Sequence, residues 1–260
     1  MNKTPTISHA AEVKIENLTK SFGSQLVLDN ISFEVKTGET FVIMGPSGSG
    51  KSILLKNIIG LEKPDEGKVL INELDASIPD THEKVITSIV FQASALFNSM
   101  SVYDNLAFYP REHNLYSKNE LRAEVEKTLA ILSLSEAAHK YPSELSGGMR
   151  KRVAIARSLM VRPQLILYDE PTSELDPIMG ATISEIIATL NEKFHVTSIV
   201  VSHDPYLACS IASRVALLFN GKVHLIAKPD ELDQSDDPKV IEFLKPKIDV
   251  RNPRFRKLHS

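Results

Sequence analysis

Eight residues carry the most explicit chemistry in the chain: Gly45-Pro46-Ser47-Gly48-Ser49-Gly50-Lys51-Ser52, a P-loop. Its glycines leave backbone N–H groups free to wrap phosphates. Lys51 can set a positive charge on the β- and γ-phosphates, and the Ser52 hydroxyl can bind Mg²⁺. About 120 residues later the apolar run "LILY" ends in Asp169-Glu170, two adjacent carboxylates able to order a cation and to polarise water. Taken alone, such a pair is also a common solvated strand end. Between them stands "ELSGGMRKR", residues 144 to 152, where Ser146, Gly147 and Gly148 precede an amphipathic run. That is the composition of a second anion cradle at a helix start, although the same residues could simply cap a helix. One nucleotide does not obviously need two cradles.

The P-loop requires a strand before it and a helix after it, and "TFVIM" and "ILLKNIIG" supply both. Further β-rich runs occur at "AEVKIENL", "KVLIN", "SIVF", "LILYDE", "TSIVVSH" and "RVALLF", with helical patterns at 51–60, 118–134, 147–160, 178–193 and 205–212. This alternation predicts an α/β fold with a mostly parallel core sheet. The strands up to about residue 39, with the turn signals "FGS" and "KTGE", predict an N-terminal antiparallel edge sheet. Strand signals vanish between about 93 and 160, which predicts a helical subdomain inserted into the sheet domain. The expected organisation is a tail over 1–11, one P-loop domain over 12–235, and a C-terminal extension over 236–260. The end of that extension is basic, broken by Pro246 and Pro253, and reads as irregular. Its lysines and arginines could meet acidic lipid headgroups, while Ile248, Val250, Phe255 and Leu258 could instead anchor the tail on a partner subunit.

At 260 residues, 42% apolar and 24% charged, the chain has ordinary globular usage, so a compact soluble protein is expected. A net charge of −3 gives no basic footprint and argues against a nucleic-acid partner. The single cysteine, Cys209, excludes an internal disulfide or a cysteine metal cluster and fits a reducing compartment. The longest apolar runs fall far short of the ~18 residues of a membrane span, and the first residues lack a signal-peptide core. Membrane association is therefore expected through a partner or a surface patch.

"GPSGSGKS", Phe91-Gln92, "LSGGM" at 145–149, "LILYDEPTSELD" at 165–176 and "SHD" at 202–204 resemble, in kind and order, the motif set of ABC-transporter ATPase subunits. The resemblance covers roughly residues 12 to 230. It implies binding of ATP and Mg²⁺, with Asp169 and Gln92 joining Ser52 at the metal and Glu170 acting as general base. It also implies that Phe22 stacks on adenine and that Gln92 and His203 sense the γ-phosphate. Read singly, Phe22 is an edge aromatic, Gln92 a loop amide and His203 a polar strand-end residue. The family answers the question of the second cradle. Two subunits pack head to tail, and Ser146, Gly147 and Gly148 of one close over the γ-phosphate held by the other.

Within the family, "FQASALFNSMSVYDNLAFYPREH", "LSGGMRKRVAIARSL" and "LYDEPTSELDP" are most similar to the ATPase subunits of Mla-type phospholipid transport systems; Met149, Tyr168 and the tail segment "DDPKVIEFL" fit that subgroup. The similarity implies a homodimer, a permease in the membrane, a periplasmic MCE lipid-binding protein and a small STAS-domain protein, with the chain on the cytoplasmic face of the inner membrane. Glu174 departs from the usual Gly or Ala in "TSxLDP" and sets a carboxylate near the expected dimer seam. A small-molecule importer subunit, a soluble ABC ATPase and a P-loop kinase are the alternatives. The segment "ASALFNSM" after Gln92 is unusually hydrophobic for a loop, which makes it either a candidate contact for the permease or part of the packing inside the helical subdomain.

Overall fold

The computed structural model describes residues 10–246, so the basic tail from 247 onward and the first nine residues lie outside the description. Two sheets organise the chain. The strands β1 (Val13–Phe22), β2 (Gln25–Val35), β4 (Glu66–Ile71) and β5 (Leu74–Asp75) form an antiparallel sheet in the order β2-β1-β4-β5. The antiparallel part is thus a sheet of its own, which recruits two strands from beyond the P-loop. The strands β3 (Thr40–Met44), β6 (Thr87–Val90), β7 (Leu165–Asp169), β8 (Thr197–Ser202), β9 (Arg214–Phe219) and β10 (Lys222–Ala227) form the second sheet, ordered β10-β9-β3-β8-β7-β6. All its pairings are parallel except that of the edge strand β10.

The apolar strand runs follow from burial on both faces. In β3, Val42 and Met44 join one core while Phe41 and Ile43 join the other, and Ile166/Tyr168 against Leu165/Leu167 divide β7 the same way. One core is roofed by the antiparallel sheet and by α1 (Lys51–Ile58), through Leu54, Leu55 and Ile58. The other lies under α3 (Val102–Glu112), α4 (Lys118–Ile131), α5 (Gly147–Leu159), α6 (Pro177–Phe194) and α7 (Pro205–Ile211). Three short α-helices, α2 (Pro79–Lys84), α8 (Pro229–Asp233) and α9 (Pro238–Leu244), and two 3-10 turns at Ser135–Ala137 and Pro142–Glu144 complete the described chain.

Helices α3, α4 and α5 lie between β6 and β7, as the loss of strand signals predicts. Each starts on a serine whose hydroxyl accepts a backbone N–H: Ser101, Ser117 and Ser146. Helix α3 is absent from the helical patterns read from the sequence, because Pro110 interrupts its last turns. Its Val102, Leu106 and Ala107 nevertheless supply a buried face. Beyond the expected domain end, α9 buries Val240 in the helical core and sets Phe243 edge-on against Phe219, with ring centroids 5.6 Å apart.

The entry to β3 is fixed by a buried carboxylate. Glu39 receives both Nε (2.6 Å) and Nη2 (2.8 Å) of Arg214, plus the Lys36 N–H (2.8 Å). The hydrogen-bonded carboxylate in turn raises the pKa of the Arg214 guanidinium. Glu39 is 8% exposed, so removing the arginine strands its charge. Arg214→Leu is expected to lower unfolding free energy by about 3 kcal/mol in a urea titration, with Glu39→Gln recovering part of that loss in the double variant. A loss under about 0.5 kcal/mol would show that water compensates the carboxylate.

Candidate active site

Strands β3, β7 and β8 are parallel neighbours, so their carboxyl ends deliver the P-loop, Asp169-Glu170 and His203 to one edge of the sheet, where ligands bind in open α/β folds. The P-loop presses against β9 so tightly that a Cβ on Gly45 would lie 2.1 Å from the Leu218 carbonyl oxygen. Gly50 takes φ 101, and its own Cβ would meet Leu28 at 2.7 Å. Both positions demand glycine. Helix α1 starts with no side-chain cap and no acidic residue in its first turn. Its leading N–H groups are left for an anion.

Lys51, 7% exposed, donates from Nζ to the carbonyls of Gly45 (2.8 Å) and Pro46 (3.0 Å) and lies 3.9 Å from Glu170 Oε1. Burial pulls its pKa down, while Glu170 and Asp169 oppose the shift. The Ser52 hydroxyl donates to Asp169 Oδ1 at 3.0 Å. His203 Nδ1 lies 2.8 Å from Glu170 Oε2, and the His203 backbone N–H reaches the same oxygen at 3.3 Å. One oxygen of Glu170 is therefore engaged by His203, and the other faces Lys51.

These groups line a cavity of about 630 Å³ bounded by Pro46 to Gly48, Gly50 to Ile53, Gln92, Glu170 and His203. The sequence-derived site residues divide on that geometry. Pro46, Ser47, Gly48, Gly50, Lys51, Ser52, Gln92, Glu170 and His203 line the cavity and Asp169 joins through Ser52; Gly45 and Ser49 do not line it, and the Ser49 hydroxyl is buried without a hydrogen-bond partner. Phe22 does not line it. The ring stands at the end of β1, 44% exposed, with Lys20 Nζ 5.2 Å from its centroid. Phe243 of α9 does line it, an aromatic that sequence reasoning missed because its placement depends on a helix near the end of the described chain.

None of Ser146, Gly147 and Gly148 lines the cavity. Ser146 caps α5 by accepting the Met149 N–H at 3.3 Å. A Cβ on Gly147 would find nothing closer than 3.7 Å, so the helix start is open there, whereas one on the buried Gly148 would lie 2.4 Å from Met179 Cε. The segment after Gln92 is pinned rather than loose. Arg157 of α5 donates to the carbonyls of Ala95 (2.8 Å) and Ser94 (3.3 Å), and Asn105 of α3 holds both the N–H and the carbonyl of Phe97. Leu96 packs on the helical core; the Phe97 ring is 43% exposed and meets Phe108 at 5.1 Å. Glu174 is exposed, at φ 64.

The donors suit the expected ligands. Hydroxyl, amide and carboxylate oxygens are hard ligands for Mg²⁺, and among the described residues no three His, Cys, Asp or Glu side chains are arranged to hold a metal ion by themselves. Phosphate oxygens would have to complete the coordination, as Mg²⁺ commonly requires. No described helix is long and apolar enough to cross a membrane.

A family model described as "ABC transporter" matches residues 28–173. Among curated relatives, the intermembrane phospholipid transport system ATP-binding protein MlaF of Haemophilus influenzae is 39% identical over 241 residues, covering 91% of each chain. The probable ribonucleotide transport ATP-binding protein mkl of Mycobacterium leprae is 38% identical over 236 residues, covering 89% of this chain and 68% of that protein. Among solved structures, the dimeric ATP-binding cassette MJ0796 bound to ADP and Pi superposes with a TM-score of 0.75 at 34% identity, covering 84% of this chain and 98% of that one. The fold is thus shared with that cassette, and the chain belongs to the ABC transporter family as an ATP-binding cassette.

Proposed function

We propose that the chain is the ATP-hydrolysing subunit of a phospholipid transporter and that it works as a head-to-tail homodimer. One observation carries the dimer: the cavity holds the P-loop and the carboxylates, yet Ser146 and Gly147 open elsewhere on the same subunit, with Gly148 packed behind them on Met179. A second subunit would bring that anion cradle over the γ-phosphate. MJ0796, dimeric in a post-hydrolysis state with ADP and Pi, supports the pairing.

In this reading the N–H groups of residues 47–52 and Lys51 hold the phosphates, and Phe22 offers its exposed ring to adenine. Glu170 takes the proton of the attacking water on Oε1. His203 holds Oε2, which fixes the carboxylate plane and leaves a single basic edge toward the cavity. Ser52, Asp169 and Gln92 are the side chains that would hold Mg²⁺; that ion would neutralise charge building on the phosphates. Hydrolysis removes the γ-phosphate that bridges two subunits, so closure and opening follow the chemistry.

Phospholipid cargo rests on the similarity to MlaF across 91% of both chains and on the Mla-like stretches around Gln92 and Ser146. The partners would be a membrane permease, a periplasmic MCE protein and a STAS-domain protein, with this chain on the cytoplasmic face of the inner membrane. The deciding experiment places the chain with its permease in vesicles. ATP-dependent transfer of a fluorescent phospholipid to acceptor vesicles, abolished by Glu170→Gln, is expected. ATP-driven ribonucleotide uptake, the activity in the name of the mkl relative, with no lipid transfer would overturn the cargo and leave the ATPase intact.

A further inference from the structure

Lys151 lies on α5, five residues after Ser146, and is 5% exposed. Its ammonium group has three hydrogens and meets three acceptors: the Gln92 carbonyl at 2.6 Å, the Ser173 hydroxyl at 3.2 Å and the Glu170 carbonyl at 3.4 Å. All three are neutral oxygens, and they come from two different loops. Burying a cation among neutral partners is costly, and an apolar side chain of similar length would commonly serve packing better. Something other than packing must retain it.

The Glu170 backbone shows what the ammonium does. Glu170 has φ 48, the left-handed region that side chains rarely occupy. Its N–H donates to the Val201 carbonyl (2.9 Å), and its carbonyl accepts from Ser173 Oγ (2.8 Å) as well as from Lys151. The peptide that aims the carboxylate is thus clamped on both sides, once by β8 and once by α5. The same ammonium fixes the backbone of Gln92.

We infer that Lys151 is a positioning residue: it ties the helix carrying Ser146, Gly147 and Gly148 to Glu170 and Gln92, so that seating of the cradle on a nucleotide sets the catalytic loops. Burial lowers the pKa of Lys151, with Glu174, Glu170 and Asp169 acting in the opposite sense. The acidic neighbours favour the charged form that makes all three bonds.

The kinetic arm of the test rests on the ATPase reading above; the exchange arm does not. Lys151→Met keeps length and removes the donors. It is expected to melt no lower than the native chain, because a buried cation is replaced by an apolar group. Its kcat should fall about 100-fold with KM for ATP nearly unchanged, the scale of a catalytic group displaced by about 1 Å. Amide hydrogen exchange should speed up in peptides covering 91–96 and 168–175 and stay native elsewhere. Lys151→Arg should recover much of both, and Lys151→Gln serves in the same assays if the methionine variant does not fold. Native exchange in both peptides would overturn the inference whatever the turnover, as would a kcat loss matched by equal loss of ATP binding. A native chain without ATPase activity would instead overturn the reading above, with hydrogen exchange still deciding the role of Lys151.

Discussion

Glu170→Gln should bind ATP, stay paired with a second copy, and hydrolyse about 10² to 10⁴ times more slowly than the native chain. The substitution is nearly isosteric. The amide oxygen can still accept from the His203 ring and backbone N–H, and the clamps on the Glu170 peptide are backbone bonds that the side chain does not alter. Only basicity is removed. Single-turnover phosphate release measures the loss, and size-exclusion chromatography with ATP reports the retained dimer. Turnover at the native rate would remove Glu170 from the mechanism.

A mixture of Lys51→Ala and Ser146→Arg chains should regenerate one working site from two inactive proteins. The lysine variant loses its phosphate cradle but keeps the helix start that it would lend; the serine variant does the reverse. In the mixed dimer both lesions fall in one composite site and the other is intact. If each chain built its whole site from its own residues, every site would stay damaged. Vanadate-trapped nucleotide on the Ser146→Arg chain is the readout, expected only when the Lys51→Ala chain is present. A dimer of one native and one Lys51→Ala chain shows whether trapping needs a single intact site. If it does, failure of the mixture to trap ends the composite-site reading. Losing the Ser146 cap costs only about 1 kcal/mol, too little to unfold α5 against its buried face.

Much of the site was legible because its parts sit where strands end. A P-loop needs a strand before it and a helix after it; an apolar run ending in two carboxylates and another ending in Ser-His-Asp mark neighbouring strands. Local pattern therefore predicted the cluster around Lys51, Asp169, Glu170 and His203. What escaped depends on distance in sequence. Lys151 and Arg157 read as the polar stripe of an amphipathic helix, yet both run inward to carbonyls about 60 residues away. Nothing in a helical period tells a lysine that faces water from one that holds a loop. Helix α3 was hidden by Pro110, although Ser101 and the Val102/Leu106 spacing were in plain view. Strand β10 went unread because "KVHLIA" is short and alternates only over Lys222 to Leu225, before Ile226 and Ala227 break the pattern.

The position of β3 in the sheet also bears on how the protein is made. Residues 40–44 are hydrogen-bonded to β8 and β9, with Thr40 opposite Ser198 and Phe41 opposite Arg214. Closing a loop of about 160 residues costs on the order of 4–5 kcal/mol in chain entropy before those pairings return anything. At roughly 5–20 residues per second, a ribosome needs about 8 to 30 s to deliver the partners of β3. Throughout that interval a five-residue apolar strand, buried at every position in the finished fold, has neither neighbour. The floor of the P-loop is missing as well, because Gly45 rests on the carbonyl of Leu218. The nucleotide cradle, although its P-loop precedes β9 by about 160 residues, is therefore a late product of synthesis. A nascent chain stalled before β9 would emerge as a sticky, nucleotide-blind intermediate in need of chaperone protection rather than as a partly active cassette.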